Sequence, residues 1–290
     1  MTTNSAPRTG KPREAQGALN HYIYHPLARR LARLLARTPV TPNMVSVAGA
    51  LMVASAGLLY TQGGAAPVAF AFALHLAWHV VDGADGDLAR LTGRASPIGE
   101  IVDGLCDYGG HVVLYLLLAA TLDDAWGPWA WLLAVAAGGS RIVQSAYAES
   151  QRRTYLWWVY SVPWLRTTGR PAAVAGIGGA LAALYLRLER LLAAGTRSID
   201  AVVAAAEADP PERARIADLA RAAARRTLPV QVMLGANPRT VLLGLSMIAG
   251  TPAWFFFVEA TLLNLLLAGS IVQQRRASRR LLALIGRGRT

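Results

Sequence analysis

The 290-residue chain contains little cysteine and has long stretches without any charged residue. Its one cysteine, Cys106, excludes a disulfide within the chain, so cysteine content does not identify the compartment. The segment from Met44 to Val81 has no Asp, Glu, Lys or Arg, and 54% of all residues are hydrophobic. This composition argues against a soluble protein and is typical of a polytopic membrane protein.

The N-terminal segment lacks the apolar core of a secretory signal peptide. Residues 1–17 are polar and include two prolines. We therefore expect residues 1–20 to form a disordered tail rather than a targeting sequence.

The net charge of +12 comes almost entirely from arginine. A basic balance is compatible with nucleic-acid binding. In an apolar chain, however, it more often marks cytoplasmic loops and contacts with anionic lipid headgroups. The sequence therefore predicts membrane lipids as partners, and no nucleic acid.

The apolar segments predict an all-α integral membrane protein with about six transmembrane helices. A helix needs about 20 residues to cross a bilayer, and the uncharged stretches are divided by Gln62-Gly63-Gly64, Asp123-Asp124 and Gly250-Thr251-Pro252. The predicted spans are 44–61, 66–82, one from before Asp103 to 122, one from 125 to about 148, and two within 240–274.

Segments outside the spans complete the predicted organisation. An amphipathic helix over 21–37, in which arginines alternate with leucines, is expected to lie on the membrane surface. The predicted regions are a tail (1–20), the interfacial helix with spans one to four and the acidic motif (21–149), a cytoplasmic helical insert (150–235), spans five and six (236–274) and a basic cytoplasmic tail (275–290).

The arginines also predict the orientation. The connections at 62–65, 123–124 and 250–252 contain no Lys or Arg, so by the positive-inside rule they face away from the cytoplasm. Both termini and the acidic motif then face the cytoplasm, in an inner (cytoplasmic) membrane. The uncharged segment 171–186 is a candidate seventh span, but a seventh span would place an arginine-rich segment outside, so we favour the insert.

Four aspartates occur at helical spacing where two apolar segments meet: Asp82, Asp85, Asp103 and Asp107. Spacings of three and four residues place each pair on one face of a helix. Four carboxylates at close range repel one another unless cations lie between them. Hard oxygen ligands suit Mg²⁺ or Mn²⁺, and two such ions would support phosphoryl transfer. The alternative to a metal site is a short acidic loop that is exposed to solvent.

The motif resembles that of the CDP-alcohol phosphotransferase family. The pattern D-x2-D-G-x2-A-R-x8-G-x3-D-x3-D matches at all eight fixed positions: Asp82, Asp85, Gly86, Ala89, Arg90, Gly99, Asp103 and Asp107. Thr41-Pro42-Asn43 is also similar to the entry of that family's first membrane helix. A looser resemblance, in the order of the membrane helices, covers most of the chain except about 150–235.

This resemblance implies a reaction and residue roles. An acceptor hydroxyl would attack the β-phosphorus of a CDP-linked donor, and CMP would leave. The resemblance implies that Asp82, Asp85 and Asp103 bind the metals and that Asp107 is the general base and also touches a metal. Asp103 and Asp107 are together the implied catalytic residues. The implied CDP-binding residues are Asp82, Gly86, Ala89, Arg90 and Gly99. The family also implies a homodimer.

The sequence leaves more than one possibility for the donor and for the class of protein. CDP-diacylglycerol donating to a small polar alcohol is the leading hypothesis, but Ser96-Pro97-x-Gly99-Glu100 also resembles the branch that uses CDP-choline or CDP-ethanolamine with a lipid alcohol. A divalent-cation transporter, whose acids line an ion pathway, is the hypothesis of another class. An inactive scaffold is disfavoured because no motif acid is lost.

Several further polar residues lie within or beside the predicted spans. Arg141 either contacts a substrate phosphate or pairs with Glu149 or a motif acid, and Arg152 and Arg153 either flank the membrane or contact an anionic substrate. His111, which lies on the face of Asp107, either orients that carboxylate, helps to move a proton or is a buried structural histidine, and the structural explanation is the simplest. His79 is also more simply explained as structural. Glu259 and Asn264 are expected to form interhelical hydrogen bonds far from the acidic motif.

Overall fold

The computed structural model describes residues 12, 14, 16–162, 187 and 196–287. Within these residues every regular element is a helix, as predicted. Most of the predicted N-terminal tail, and all of the uncharged segment 171–186, lie outside the described residues.

The helices follow the apolar segments. A π-helical turn, Asn20–Tyr24, leads into the first α-helix, and a 3₁₀ turn, Ala206–Ala208, separates α7 from α8. The α-helices are α1 (His25–Leu35), α2 (Pro42–Thr61), α3 (Ala65–Leu91), α4 (Pro97–Ala120), α5 (Asp123–Trp126), α6 (Pro128–Tyr160), α7 (Arg197–Ala205), α8 (Pro210–Ala224), α9 (Leu228–Met233), α10 (Ala236–Ile248), α11 (Ala253–Ala260) and α12 (Leu262–Arg287).

Four helical stretches in the described part of the chain are long and apolar enough to cross a membrane: Pro42–Thr61, Ala65–Leu91, Ile98–Ala120 and Ala253–Arg287. They support an integral membrane protein. The predicted fourth span lies in α6, where Arg141 and Gln144 lower the hydropathy, and the predicted fifth lies in α10. With 13 residues, α10 is about 20 Å long, shorter than a bilayer core of about 30 Å. The count of six spans therefore stays a prediction.

Helix starts and stops around the acidic motif have local causes. The side chains of Thr41 and Ser96 cap α2 and α4 by accepting hydrogen bonds from the N–H groups of Met44 and Gly99. The second predicted span ended near residue 82, but α3 continues through the first half of the motif to Leu91. It stops just before Gly93, whose positive φ of 66° ends the helical path.

Small residues let the helices that carry the motif approach closely. Helix α2 packs against both α3 and α4, and α1 packs against α3. A Cβ added at Gly110 of α4 would lie 3.0 Å from the backbone oxygen of Ala50 in α2, and one at Gly83 of α3 would lie 3.1 Å from the Cβ of Ala28 in α1. The backbone positions of α3 and α4 are therefore set by direct contact with neighbouring helices.

The chain divides into two compact units. One comprises Ala18–Arg141 and Ala236–Leu262, and the other comprises Met1–Gly17, Ile142–Gly235 and Leu263–Thr290. The first unit contains the whole acidic motif.

The second unit has its own core, in which tryptophans of α6 pack against α7, α8 and the end of α12. Arg213 of α8 donates hydrogen bonds to the backbone oxygens of Trp157 and Trp158, both at 2.8 Å, and so satisfies carbonyls at the C-terminus of α6. The described part of the predicted insert is thus helical and packed.

Candidate active site

The four motif aspartates come together from two helices. Asp82 and Asp85 lie on α3, and Asp103 and Asp107 lie on α4. The Asp103 carboxyl group is within hydrogen-bonding reach of Asp85 and within electrostatic range of Asp82 and Asp107. The helical spacing in the sequence predicted this convergence. We call these four residues the carboxylate cluster.

A serine from a third helix holds the most buried member of the cluster. Ser46 of α2 donates a 2.6 Å hydrogen bond to Oδ2 of Asp85, and the Asp85 side chain is buried. The other oxygen, Oδ1, accepts from the N–H of Gly86. Sequence reasoning missed Ser46. The signal in the sequence was a hydroxyl one turn after Thr41-Pro42-Asn43, near the start of a mostly apolar helix.

The small and basic motif positions border the cluster on α3. Arg90 is exposed and forms a 2.6 Å ion pair with Asp87. A Cβ added at Gly86 would lie 3.5 Å from the Arg90 guanidinium, so Gly86 leaves room beside that group. Ala89 is partly exposed on the same helix.

Gly99 lies at the start of α4, close to the start of α2. Its N–H donates to Ser96 Oγ at 3.0 Å, and a Cβ added there would be 3.8 Å from Asn43 Oδ1. The segment Thr41-Pro42-Asn43 and the second half of the motif, which are at least 56 residues apart in the chain, are therefore neighbours in space.

Asp107 contacts a histidine one turn further along α4. Nδ1 of His111 lies 2.8 Å from the backbone oxygen of Asp107 and 3.1 Å from its Oδ1. The His111 side chain is buried. The proximity expected from the spacing of four residues is confirmed.

A second group of charged residues lies deeper in the same unit, and we call it the buried ion cluster: Tyr115, Arg141, Arg239 and Glu259. Glu259 is fully buried, pairs with Arg239 at 2.8 Å and accepts a hydrogen bond from the Tyr115 hydroxyl. Arg141 lies over the Tyr115 ring, 6.0 Å from its centroid, and interacts electrostatically with both Glu259 and Asp107.

These contacts involve both residues of the last predicted span that the sequence singled out. Glu259 contacts Tyr115 and Arg239 rather than a motif aspartate, and it shares Arg141 with Asp107 as an electrostatic neighbour. Helix packing brings Tyr115 and Glu259 together although they are 144 positions apart, which spacing along the chain does not show. Asn264, the predicted companion of Glu259, instead accepts a 2.9 Å hydrogen bond from Gln144. Arg239 was missed because it stands at the border of an apolar run, where flanking arginines are common.

The remaining candidate phosphate contacts are engaged by a nearby acid. Glu149 pairs with Arg152 and Arg153, each at 2.6 Å. Arg141 has Tyr115, Glu259 and Asp107 as its electrostatic neighbours, in that order.

The donor atoms of the carboxylate cluster fit a hard divalent cation by their chemistry. Two carboxylates as close as Asp85 and Asp103 repel each other unless a cation or a proton lies between them. Among the described residues, however, no group of three or more His, Cys, Asp or Glu side chains is arranged to hold a metal ion. The oxygens are therefore suited to a metal in kind, while a formed coordination site is not seen.

Comparison with known proteins identifies the family. No curated protein matches the chain. The family model described as CDP-alcohol phosphatidyltransferase matches residues 39–205, more than half of the chain. The match contains the whole motif, runs past residue 150 into the predicted insert, and ends before the last two predicted spans. The chain belongs to the CDP-alcohol phosphatidyltransferase family, whose members transfer substituted phosphate groups.

Proposed function

We propose that this protein transfers a phosphatidyl group from CDP-diacylglycerol to the hydroxyl of a small polar alcohol, with release of CMP. The observation that carries the proposal is the carboxylate cluster, in which Asp103 of α4 meets Asp85 of α3 beside Asp82 and Asp107. Such an excess of negative charge within apolar helices is costly unless a ligand compensates it.

The proposed roles follow from where each side chain lies. Asp82, Asp85, Asp103 and Asp107 would hold two Mg²⁺ or Mn²⁺ ions, which supply charge neutralisation at the diphosphate. Ser46 and the Gly86 N–H fix the Asp85 carboxylate, so its orientation is set before substrate binds. Gly86, Ala89 and Gly99 would border the CDP moiety, where their small size leaves the backbone accessible, and the Arg90 guanidinium would lie beside them.

Asp107 is proposed as the general base. Its carboxylate accepts the proton of the acceptor hydroxyl while the hydroxyl oxygen bonds to the β-phosphorus. The bond from the β-phosphorus to the bridging oxygen breaks, and its electron pair leaves with CMP. No covalent enzyme intermediate is required.

Arg141 is the residue we propose as a contact for a substrate phosphate. It interacts electrostatically with Asp107, and a guanidinium can bind a phosphate through two parallel hydrogen bonds. Arg152 and Arg153 are weaker candidates because Glu149 already engages both.

The membrane arrangement is part of the proposal. We propose six spans, an interfacial α1, and a site and termini that face the cytoplasm, because basic residues are absent from the three predicted outer connections. Arg29, Arg30 and Arg33 of α1 are exposed, while Ala28 and Ala32 pack towards α3, as an interfacial helix requires. A homodimer is proposed from the family alone.

The similarity of Ser96-Pro97 to the choline and ethanolamine branch has a simpler explanation. Ser96 caps α4 and Pro97 is its first residue. Both choices suit the start of any helix at this position, so they do not indicate the donor. A cation pathway is disfavoured because the motif acids are gathered at neighbouring ends of α3 and α4 rather than spread along a span.

The test is release of CMP by the purified protein with Mg²⁺ or Mn²⁺. CDP-diacylglycerol is offered with a panel of polar alcohols, and CDP-choline or CDP-ethanolamine is offered separately with diacylglycerol. We expect metal-dependent release with CDP-diacylglycerol that Asp107→Asn abolishes. Asp124→Asn is the matched control, because it is the same substitution on an exposed aspartate outside the motif. Release only with CDP-choline or CDP-ethanolamine would contradict the proposed donor, and no release with any donor would contradict the enzyme.

A further inference from the structure

His111 is a buried histidine that the proposed reaction does not use. Its side chain is 4% exposed, and Nδ1 lies 2.8 Å from the Asp107 backbone oxygen and 3.1 Å from Asp107 Oδ1. A peptide oxygen can only accept a hydrogen bond, so the hydrogen of the imidazole must be on Nδ1. The hydrogen bond to the carbonyl fixes the ring, and the same N–H lies obliquely beside the carboxylate.

The two oxygens of Asp107 have different surroundings. Oδ1, the oxygen beside His111, is inaccessible to solvent and has no well-aligned hydrogen-bond donor, so the Nδ1–H acts on it by electrostatic attraction across 3.1 Å; the Asp107 side chain as a whole is 36% exposed. The accessible part of the carboxylate therefore includes Oδ2. In this rotamer Asp107 has one oxygen facing the histidine and the other available to a ligand.

Two aromatic rings lie beside the imidazole. Trp78 of α3 meets it edge to face, with 4.7 Å between ring centroids, and the His75 ring lies 5.7 Å away. Nε2 of His111 is buried and has no hydrogen-bond partner among the described residues. An unsatisfied buried nitrogen lowers stability, so stability alone does not explain a histidine where an apolar residue would pack.

We propose that His111 is a positioning residue for Asp107: its Nδ1–H keeps Oδ1 directed inwards and so leaves Oδ2 to take the acceptor's proton. This inference rests on the proposed role of Asp107 as general base. Such an outer-shell contact typically changes activity by about 10–100-fold when it is removed.

Amide substitutions separate positioning from packing. His111→Asn places an N–H donor at the δ position, as Nδ1 does, whereas His111→Gln places it one atom further out, and His111→Leu removes it. We expect His111→Asn to keep kcat within about 5-fold of wild type, and His111→Gln and His111→Leu to lose about 10–100-fold in kcat. The KM for the CDP donor should change little in all three. His75→Leu, which removes a neighbouring buried histidine, is the control and should keep its kcat. Equal kcat losses for the Asn, Gln and Leu variants, or losses confined to KM, would overturn the proposal.

A measurement independent of activity tests the contact itself. In protein with ¹⁵N-labelled histidine, the signals of His111, identified by their loss in His111→Asn, should show a hydrogen on Nδ1 and a bare Nε2. A hydrogen on Nε2 alone would overturn the proposal even if the enzyme is active. If the wild-type protein releases no CMP, the proposed function fails. The NMR measurement then still shows whether Nδ1 carries the hydrogen that the contact with Asp107 requires.

Discussion

Helix α4 contributes to two charged clusters that balance their charges in opposite ways. In the carboxylate cluster, Asp103 has other aspartates as its charged neighbours. In the buried ion cluster, two turns further along the helix, Glu259 has Arg239 and Arg141 as neighbours and the Tyr115 hydroxyl as a donor. One cluster contains only carboxyl groups, whereas in the other the Glu259 carboxylate is paired with the Arg239 guanidinium.

This difference separates a site that awaits a ligand from one that supports the fold. A buried ion pair with its own partners is complete without any ligand, although removing one partner is costly. Like charges held together lower stability until a cation or substrate compensates them. The two clusters should therefore respond in opposite ways to loss of a carboxylate.

The largest expected effect is on activity, from Asp103→Asn. Loss of one proposed metal-binding carboxylate should lower CMP release by about 10³-fold, or about 4 kcal/mol in the barrier. Because the substitution relieves repulsion from Asp82 and Asp107, the unfolding temperature in metal-free buffer should stay the same or rise.

The control for Asp103→Asn is Glu100→Gln, since Glu100 is an exposed acid in the first turn of the same helix. It should keep nearly full activity. A large fall in the unfolding temperature of Asp103→Asn would show that the carboxylate cluster is structural, like the deeper one.

The carboxylate cluster was predictable because its geometry is local. Asp82 with Asp85, and Asp103 with Asp107, share helical faces by spacing alone, and the family pattern assigned them to one site. The pairing of Glu149 with Arg152 and Arg153 obeys the same rule of three and four residues. The spacing therefore predicts Arg152 and Arg153 as partners of Glu149, whereas the sequence analysis considered Arg141 as its partner.

The supporting contacts were not predictable because they depend on helix packing. Ser46 and Asp85 are 39 residues apart, and Tyr115 and Glu259 are 144 apart. Nothing in the local pattern indicates which helices meet, or that Arg239 is buried rather than flanking the membrane. The span count stays a prediction for a related reason: hydropathy locates apolar segments, but helix length and inserted polar residues decide whether a segment can cross.

The second largest effect is expected on stability, from Glu259→Leu. This change leaves the Arg239 guanidinium buried without its carboxylate and should lower the free energy of unfolding by about 3–5 kcal/mol. In Glu259→Leu combined with Arg239→Met, both charges of the pair are gone, so the double variant should be more stable than Glu259→Leu alone. Unfolding of the detergent-solubilised protein measures the loss of stability in Glu259→Leu, in Arg239→Met and in the double variant. Additive losses in the double variant would mean that the pair does not interact as the structure indicates.

The smallest expected effect, from Gly110→Ala, should reach both clusters because both depend on the position of α4. The added Cβ would lie 3.0 Å from the Ala50 oxygen and 3.1 Å from the Ala50 Cα, so α4 must move away from α2. We expect a loss of about 1–3 kcal/mol in the free energy of unfolding. Activity should fall as well, because a shift of α4 moves Asp103 away from Asp85, which Ser46 of α2 holds. The adjacent Gly109→Ala is a matched control: a Cβ there meets no atom within 4 Å, and alanine favours the helix. If Gly110→Ala lowers stability but leaves CMP release unchanged, the carboxylate cluster tolerates movement of α4. Its assembly would then depend on the ligand more than on the contact between α2 and α4.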